Sequence, residues 1–184
     1  MKSTTLLLED HQHMLRALNV LESMALLAER GQLPDESDVK ELLEFLDGFG
    51  DRTHQGREEN ILFPALLRDR EQKNYPELSS LIFEHNRQRS LIDGLQDAML
   101  TRTNKDFVYC ANRLVQVLRQ HIQEEEKTLF PLVDSTFSRD DDACVAEDMK
   151  TQDKAWLDKN FPRLLRQLDN LTAKYSMKTP RRTA

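Results

Sequence analysis

Two segments of the chain repeat one pattern of histidine and acidic residues. The segments HQGREENILFP and HIQEEEKTLFP begin at His54 and His121, and in each the His is followed four residues later by a glutamate, Glu58 or Glu125. Residues spaced by four lie on the same face of a helix. An imidazole and a carboxylate that converge on one point are typical ligands of a divalent metal. The two pairs therefore predict either two metal ions or one ion held from two sides.

Each repeat is preceded by an apolar run that ends in an acid and a histidine. These runs are LLLEDH, which ends at His11, and LIFEH, which ends at His85. His11 lies 43 residues before His54, and His85 lies 36 residues before His121. The chain thus holds two copies of one unit, which predicts two similar helical hairpins packed about a pseudo-two-fold axis.

The spacer lengths place the four histidines at one level of a bundle. In the first unit, about 19 residues follow His11 in its helix and about 17 precede His54 in the next, or roughly 28 and 26 Å of helix. In the second unit the corresponding segments are about 17 and 16 residues, or roughly 26 and 24 Å. Antiparallel hairpins would therefore bring all four rings together, as in metal-binding four-helix bundles.

The helices themselves follow from apolar periodicity and from the residues that interrupt it. The first predicted helix is Thr5–Arg30, ended by Gly31, and the second starts near Asp35 or Ser37 and is kinked or weakened at Pro64. The third is opened by Tyr75 and Pro76, and the fourth starts near residues 103–104, with Pro131 as the counterpart of Pro64. Two further helices are predicted, one from the acids at 140–142 to about Trp156 and a last one over Phe161–Tyr175. We expect residues 1–138 to form an all-α, up-down-up-down four-helix bundle. Residues 139–184 would be a C-terminal helical extension, packed on or beside the bundle, with a short basic tail.

Composition limits the classes of function. The 184 residues carry a net charge of -6, and only the tail sequence KTPRR is locally basic, which argues against nucleic-acid binding. No apolar stretch approaches the roughly 18 residues of a membrane span, and the N-terminal apolar run is too short for a signal peptide. Cys110 and Cys144 are too few and too isolated for a disulfide framework. We therefore expect a soluble cytoplasmic protein, monomeric or homodimeric, with neither a nucleic-acid nor a membrane partner.

The doubled His-x-x-x-Glu-Glu-x-x-Leu-Phe-Pro motif, with its preceding acid-His pairs, resembles the hemerythrin-like, or HHE cation-binding, family over residues 6–134. The resemblance implies a four-helix bundle that holds a non-heme di-iron centre as its cofactor. The implied terminal ligands are the four imidazoles of His11, His54, His85 and His121. The implied bridging ligands are the carboxylates of Glu58 and Glu125.

The sequence departs from the oxygen-carrying hemerythrins of invertebrates in two places. Those proteins have a histidine four residues after the third-helix ligand, where this chain has Arg89, and they use His-x-x-x-x-Asp rather than His121-x-x-x-Glu125. A symmetric set of four His and two Glu is similar to bacterial members linked to sensing, nitrosative stress and iron–sulfur repair. Fewer protein ligands would leave more positions open for solvent or a small molecule. Arg89 is interpreted as a surface residue or as a contact to a carboxylate or bound anion near the metals.

Other polar residues near the motifs are given less direct roles. Glu59 and Glu126 lie about 100° further round their helices than the ligand glutamates, so we interpret them as solvated or as supporting residues. Asp10 and Glu84 are interpreted as helix-terminal or solvated charges, with a hydrogen bond to an imidazole as the alternative. His13 would point away from His11 and lie on the surface.

Three functions remain open at this point. The first is a non-heme di-iron protein that binds or reacts with oxygen, nitric oxide or peroxide, for sensing or stress response. The second is iron storage or delivery, or repair of iron–sulfur clusters. The third is a signalling module whose last helices, within 143–175, report the state of the site to another protein. Zinc or manganese would also suit these ligands, and whether the protein is an enzyme stays open.

Overall fold

The computed structural model describes residues 2–68 and 76–176, and within these ranges the chain is helical with no strand. The α-helices are α1 (Ser3–Glu29), α2 (Glu36–Phe45), α3 (Phe63–Leu67), α4 (Pro76–Thr101), α5 (Asn104–Glu124), α6 (Phe130–Thr136), α7 (Arg139–Thr151) and α8 (Lys154–Ser176). Helix α1 is the first bundle helix, α2 with α3 the second, α4 the third, and α5 with α6 the fourth. The prediction of an all-α, up-down-up-down bundle with a helical extension is confirmed.

The second and fourth bundle helices contain π-helical turns. These turns span Leu46–Gln55 and Glu58–Leu62 in the second, and Glu125–Leu129 in the fourth. Pro64 and Pro131 follow directly, each in the first turn of the next α-helix. A proline cannot donate the usual backbone hydrogen bond and its ring crowds the preceding turn. A wider turn just before it relieves that conflict, so the helix direction continues through the predicted weak points.

Gly31 terminates helix α1, as the sequence predicts. Gly31 has a φ of +83°, a left-handed conformation that glycine adopts without penalty. Its N–H donates to Ala28 O, and the next N–H, of Gln32, donates to Leu27 O. These bonds satisfy carbonyls that the helix end leaves free. The helix therefore stops at Glu29, one residue before the predicted boundary.

Two apolar clusters lie along the bundle, one on each side of the histidine level. On α1, Leu7 belongs to the cluster nearer the N-terminus, and Met14 belongs to the larger cluster. On α4, Leu81 and Ile92 flank His85 in the same way. The polar layer is therefore enclosed by hydrocarbon above and below, so water is excluded and electrostatic interactions within the layer are strengthened.

The extension packs directly on the bundle. Helix α8 lies against α1 and α2, while α7 lies against α1 and the π-helical turn Glu58–Leu62. The predicted bounds were wrong in detail. Helix α7 ends at Thr151 rather than near Trp156, and α8 begins at Lys154 and continues through Pro162. The division into domains at residue 138 stays a prediction, and Tyr75 and the basic tail lie outside the described residues.

Packing of α8 overturns the interpretation of His13 as a surface residue. Its ring is half-buried, with ring-centroid distances of 5.7 Å to Phe49 and 5.6 Å to Phe161. Burial lowers the pKa of His13, and the charge of Arg16 lowers it further. The face of α1 opposite the ligand histidines is covered by the extension, which the periodicity of α1 alone does not reveal.

None of the helices in the described ranges combines the length and the apolar character needed to cross a bilayer.

Candidate metal centre

All six residues expected to bind metal come together in the middle of the bundle. The side chains of this central cluster are fully buried, with 0% of their surface exposed; they are His11, His54, Glu58, His85, His121 and Glu125. Each bundle helix supplies one histidine, and the second and fourth also supply a glutamate. Two groups within the cluster have donor atoms that all lie within 4.8 Å of one another. One group is His11, His54 and Glu125, and the other is Glu58, His85, His121 and Glu125.

The carboxylate of Glu125 lies between the two groups. Its Oε2 is 3.0 Å from His11 Nε2 and 3.9 Å from His54 Nε2. Its Oε1 is 2.8 Å from His121 Nε2. One oxygen thus faces histidines of the first repeat and the other faces a histidine of the second. This is the arrangement expected of a carboxylate that bridges two cations.

Glu58 takes a matching position from the opposite side. Its Oε2 is 3.9 Å from His54 Nε2 and 3.4 Å from His85 Nε2. The Nε2 atoms of His85 and His121 approach to 3.1 Å. Four imidazole nitrogens and two carboxylates therefore present their lone pairs to one small volume.

Several of these donor atoms lack a hydrogen-bond partner among the described residues. These buried, unpartnered atoms are both carboxylate oxygens of Glu58, Glu125 Oε1 and both ring nitrogens of His54. Glu125 Oε1 is close to His121 Nε2 but does not meet it in hydrogen-bond geometry. Burying unpaired carboxylates in an apolar interior is very unfavourable, and a cation at their common focus supplies the missing partner. The residues present therefore fit a metal site.

A second set of carboxylates faces the outer nitrogens of the rings. His11 Nδ1 is 2.9 Å from Glu126, His85 Nδ1 is 2.7 Å from Glu59, and His121 Nδ1 is 2.8 Å from Glu84. The fourth contact, between His54 Nδ1 and Asp10, is longer at 3.5 Å. Carboxylates in these positions fix the ring orientation and leave Nε2 as the donor to a metal.

These contacts obey the pseudo-two-fold relation between the repeats. The acid that precedes the first histidine of each unit, Asp10 or Glu84, contacts the second histidine of its own unit. The second glutamate of each Glu-Glu pair, Glu59 or Glu126, contacts the first histidine of the other unit. Our preferred interpretation of Asp10 and Glu84 as solvated or helix-terminal charges was wrong, and the alternative of a hydrogen bond to an imidazole holds for Glu84. The supporting role considered for Glu59 and Glu126 is the one found.

The phenylalanine of each Leu-Phe-Pro sequence covers a histidine of the other repeat. Phe130 stacks on His11 at a centroid distance of 5.4 Å, and Phe63 lies parallel to His85 at 6.3 Å. Both phenylalanines belong to the apolar cluster nearer the N-terminus. The repeated motif therefore supplies a ligand pair, a supporting acid and an apolar cover within ten residues, from His54 to Phe63 in the first copy.

Arg89 is half-buried and pairs with two acids of the second bundle helix. Its Nε donates to Asp51 at 2.7 Å, and its terminal nitrogen donates to Glu59 at 2.9 Å. Burial raises the pKa of Glu59, but hydrogen bonds from His85 and Arg89 outweigh it and lower that pKa overall. Arg89 therefore keeps Glu59 ionised beside His85.

Arg57, which the sequence analysis did not consider, connects the site to the extension. Its guanidinium donates to Asp10 at 2.6 Å and to the Met149 carbonyl of α7 at 3.2 Å. Asp10 in turn faces His54. The corresponding position of the second repeat is Glu124, which is exposed. Comparison of the repeats gives no signal for Arg57, because the repeats differ at this residue.

Charge interactions within the cluster favour protonated histidines beside ionised glutamates. Burial opposes protonation of His11, but hydrogen bonds and charge interactions with Glu125 and Glu126 outweigh it and raise the pKa of His11. Similarly, Glu125 and Glu84 outweigh the burial of His121 and raise its pKa to about 10. Burial alone would raise the pKa of Glu125, yet His121 and His11 lower it well below its usual range. Without a metal, protons on the histidines would balance the carboxylates.

The stability of the metal-free protein should therefore depend on pH. A histidine with a raised folded-state pKa stabilises the fold fully below its unfolded pKa of about 6.5, and this contribution disappears as pH rises through the folded value. We expect the thermal midpoint of the metal-free protein to fall as pH rises from about 6.5 toward 10, where His121 titrates. Calorimetry across this range tests it. The metal-loaded protein is the control, because its imidazoles are already deprotonated; a parallel fall in both forms would contradict the prediction.

The fold and site together define a class, that of helical bundles with a buried His and carboxylate site able to hold cations. The family model of the hemerythrin HHE cation-binding domain matches residues 2–133. The chain belongs to this family, as the resemblance in its repeats predicted. No curated protein and no solved structure matches the chain.

Proposed function

We propose that the central cluster holds two iron ions and that the protein uses them to bind or react with a small ligand, such as oxygen, nitric oxide or peroxide, in sensing or stress response. The observation that carries the proposal is the convergence of six buried donor residues with unpartnered carboxylate oxygens. His11 and His54 would hold one iron and His85 and His121 the other, with Glu58 and Glu125 shared. Iron held by such ligands offers exchangeable positions and a ferrous–ferric couple.

The surrounding residues prepare the site for such chemistry. Glu126, Glu59 and Glu84 orient three of the imidazoles through Nδ1, so little reorganisation is needed when a metal binds. Phe63 and Phe130 restrict access from one end of the site. The protein would therefore admit only molecules small enough to pass between packed helices.

The connection through Arg57 supports a sensing role within this proposal. A change at His54 alters its contact with Asp10, and Arg57 joins Asp10 to the backbone of α7. The extension is thus placed to respond to the state of the site, as required if it reports that state to another protein. Iron storage or delivery is less well supported, because all six donor residues are fully buried and release would require the bundle to open.

Spectroscopy of the iron-loaded protein separates these functions. The protein is reduced without oxygen, then exposed to air or nitric oxide, and its optical spectrum is followed. We expect a new charge-transfer absorption whose formation needs the metal. Iron that a chelator removes within minutes from the folded, reduced protein, with no spectral response to either gas, would instead support delivery.

The link through Arg57 gives a separate prediction. Arg57→Ala should weaken iron binding by roughly 10-fold, the lower range for residues that orient metal ligands. In the parent, metal removal should accelerate hydrogen exchange in α7. In Arg57→Ala, which lacks the link to α7, metal removal should leave hydrogen exchange there unchanged. The matched control is Arg52→Ala, since Arg52 ties the extension to the bundle through Asp153 without reaching the site. If Arg52→Ala and Arg57→Ala behave alike, the link to α7 is only structural.

A further inference from the structure

The two groups of donor residues in the central cluster differ in size. The four-residue position consists of Glu58, His85, His121 and Glu125, and the three-residue position of His11, His54 and Glu125. Glu58 makes the difference, because its Oε2 is 3.4 Å from His85 Nε2 but 3.9 Å from His54 Nε2. The donor atoms around His54 are therefore less closely gathered than those around His85.

His54 is also the ligand histidine with the least support from neighbouring acids. Both of its ring nitrogens are buried without a hydrogen-bond partner in the part of the chain that the structure describes. The other three ligand histidines each have an outer nitrogen 2.7 to 2.9 Å from a carboxylate. The carboxylate that faces His54 is that of Asp10, which at 3.5 Å from Nδ1 makes no hydrogen bond. The orientation of the His54 ring is therefore less firmly fixed.

The length of one acidic side chain explains this difference between the repeats. Asp10 and Glu84 occupy equivalent positions, each directly before the first histidine of its unit. Glu84 reaches the second histidine of its unit, His121, at 2.8 Å. Asp10 is one methylene shorter and remains 3.5 Å from the second histidine of its unit, His54. The repeats are thus equivalent in position but not in reach.

Arg57 adds a second difference between the repeats. The Asp10 oxygen that faces His54, Oδ2, also accepts a hydrogen bond from the guanidinium of Arg57 at 2.6 Å. Arg57 is fixed in turn by the Met149 carbonyl of α7. In the second repeat the counterpart of Arg57 is Glu124, which brings no positive charge to the site. The negative charge of Asp10 is therefore shared with a cation and is only partly available to His54.

We infer that the two metal positions are unequal, so that the four-residue position binds its ion first and more tightly than the three-residue position. The shorter Asp10 and its pairing with Arg57 set the lower affinity of the three-residue position. The inference rests on the proposed two-metal site and adds the order in which the site fills. The position that fills last is the one that Asp10 and Arg57 connect to α7. The extension is thus placed to respond to whether the site holds one ion or two.

Stepwise titration of the metal-free protein with Co²⁺, followed by its visible absorption, tests the order. Two steps alone are not diagnostic, because two neighbouring divalent ions repel each other and weaken the second step in any site. His54→Ala should leave the first dissociation constant equal to that of the parent. His85→Ala should weaken the first step by about 10- to 100-fold, the range for lost support of a ligand. Equal first steps in both variants, or the reverse order, would overturn the inference.

Reciprocal exchange of one methylene tests the cause. Asp10→Glu should strengthen the second step by about tenfold, and Glu84→Asp should weaken the first step by about tenfold. Neither variant changes the charge of the site, so repulsion between the ions stays the same. Glu9→Asp is the matched control, since Glu9 is an exposed neighbour of Asp10, and neither step should change.

The reciprocal variants also separate orientation of the ligands from packing. An added methylene at the buried Asp10 can disturb its surroundings, which the thermal midpoint of the metal-free variant would reveal. Glu84→Asp removes a methylene instead, and decides the question if Asp10→Glu does not fold. If each folded variant keeps the dissociation constants of the parent, the acids do not set the affinities and the inference is wrong.

The number of bound ions distinguishes failure of the inference from failure of the proposed function. Two ions per chain with no preference between the positions would overturn the inference and leave the two-metal proposal intact. A single ion in the parent would contradict that proposal. If this single ion is retained in His54→Ala and lost in His85→Ala, the inequality of the positions still holds. The opposite pattern, or no bound ion at all, would overturn the inference.

Discussion

Glu125→Ala should lose at least one of the two iron ions that we expect per chain. The carboxylate lies between the two histidine groups, 3.0 Å from His11 and 2.8 Å from His121, and its pKa is held low by those histidines. Its removal takes a ligand from both metals at once. The loss of affinity should exceed the roughly 10- to 100-fold typical of residues that only orient ligands. Glu58→Ala should behave in the same way.

Two sets of matched variants make this a graded test, read by metal analysis after gel filtration. Glu59→Ala and Glu126→Ala each remove a contact to an imidazole Nδ1, and should weaken iron binding by about 10- to 100-fold while two ions still bind at saturation. Glu124→Ala removes an exposed neighbour of Glu125 and should have no effect. Equal losses for all variants would refute the distinction between ligands and supporting residues.

Removal of the metal should lower the thermal midpoint by roughly 10 °C or more. A ligand present at a thousand times its Kd stabilises by about 4 kcal/mol, and for a chain of this size each kcal/mol corresponds to roughly 2–4 °C. In addition, both carboxylate oxygens of Glu58 are buried without a hydrogen-bond partner among the described residues, so loss of the metal leaves them poorly satisfied. Differential scanning calorimetry before and after chelation measures the effect.

Glu125→Ala provides the control for this measurement, since a variant that has lost at least one metal ion should respond less to chelation than the parent. A parent midpoint that is unchanged by chelation, with complete metal removal verified, would mean that the cluster is not coupled to folding. An equal fall in the thermal midpoint of the parent and of Glu125→Ala would point to an effect of the chelator itself.

Most of the central cluster could be predicted because its signals are local. Repetition of the His-x-x-x-Glu spacing identified Glu58 and Glu125, and the spacer lengths matched the levels of the four histidines. The fold followed from the same periodicity. In these cases, one helix and its length carry the necessary information.

The outer carboxylates were harder to predict because they depend on pairs of helices. A position 100° from the ligand face of its own helix cannot reach the common centre, and this argument is correct for Glu59 and Glu126. An imidazole, however, has a second nitrogen that faces away from the centre, where a carboxylate of a neighbouring helix can meet it. Only the packing of helices reveals such contacts.

Residues whose roles depend on the extension or on exact register were missed. Arg57 gains its role from the Met149 carbonyl, and His13 is covered by Phe161, both contacts to α7 or α8. The buried hydrogen bond between Gln55 and Gln88 requires a particular alignment of two helices, one of them π-helical around Gln55. The spacing of apolar residues within one segment does not reveal such contacts between helices.

The metal content of the purified, iron-supplied protein tests the central proposal most directly. Iron and protein should be quantified in the same sample after removal of loosely bound metal, with zinc and manganese measured alongside. We predict two iron ions per chain, one for each histidine group, with Glu58 and Glu125 shared between them. One tightly bound ion per chain, or none, would contradict the proposal that this bundle holds a di-iron centre.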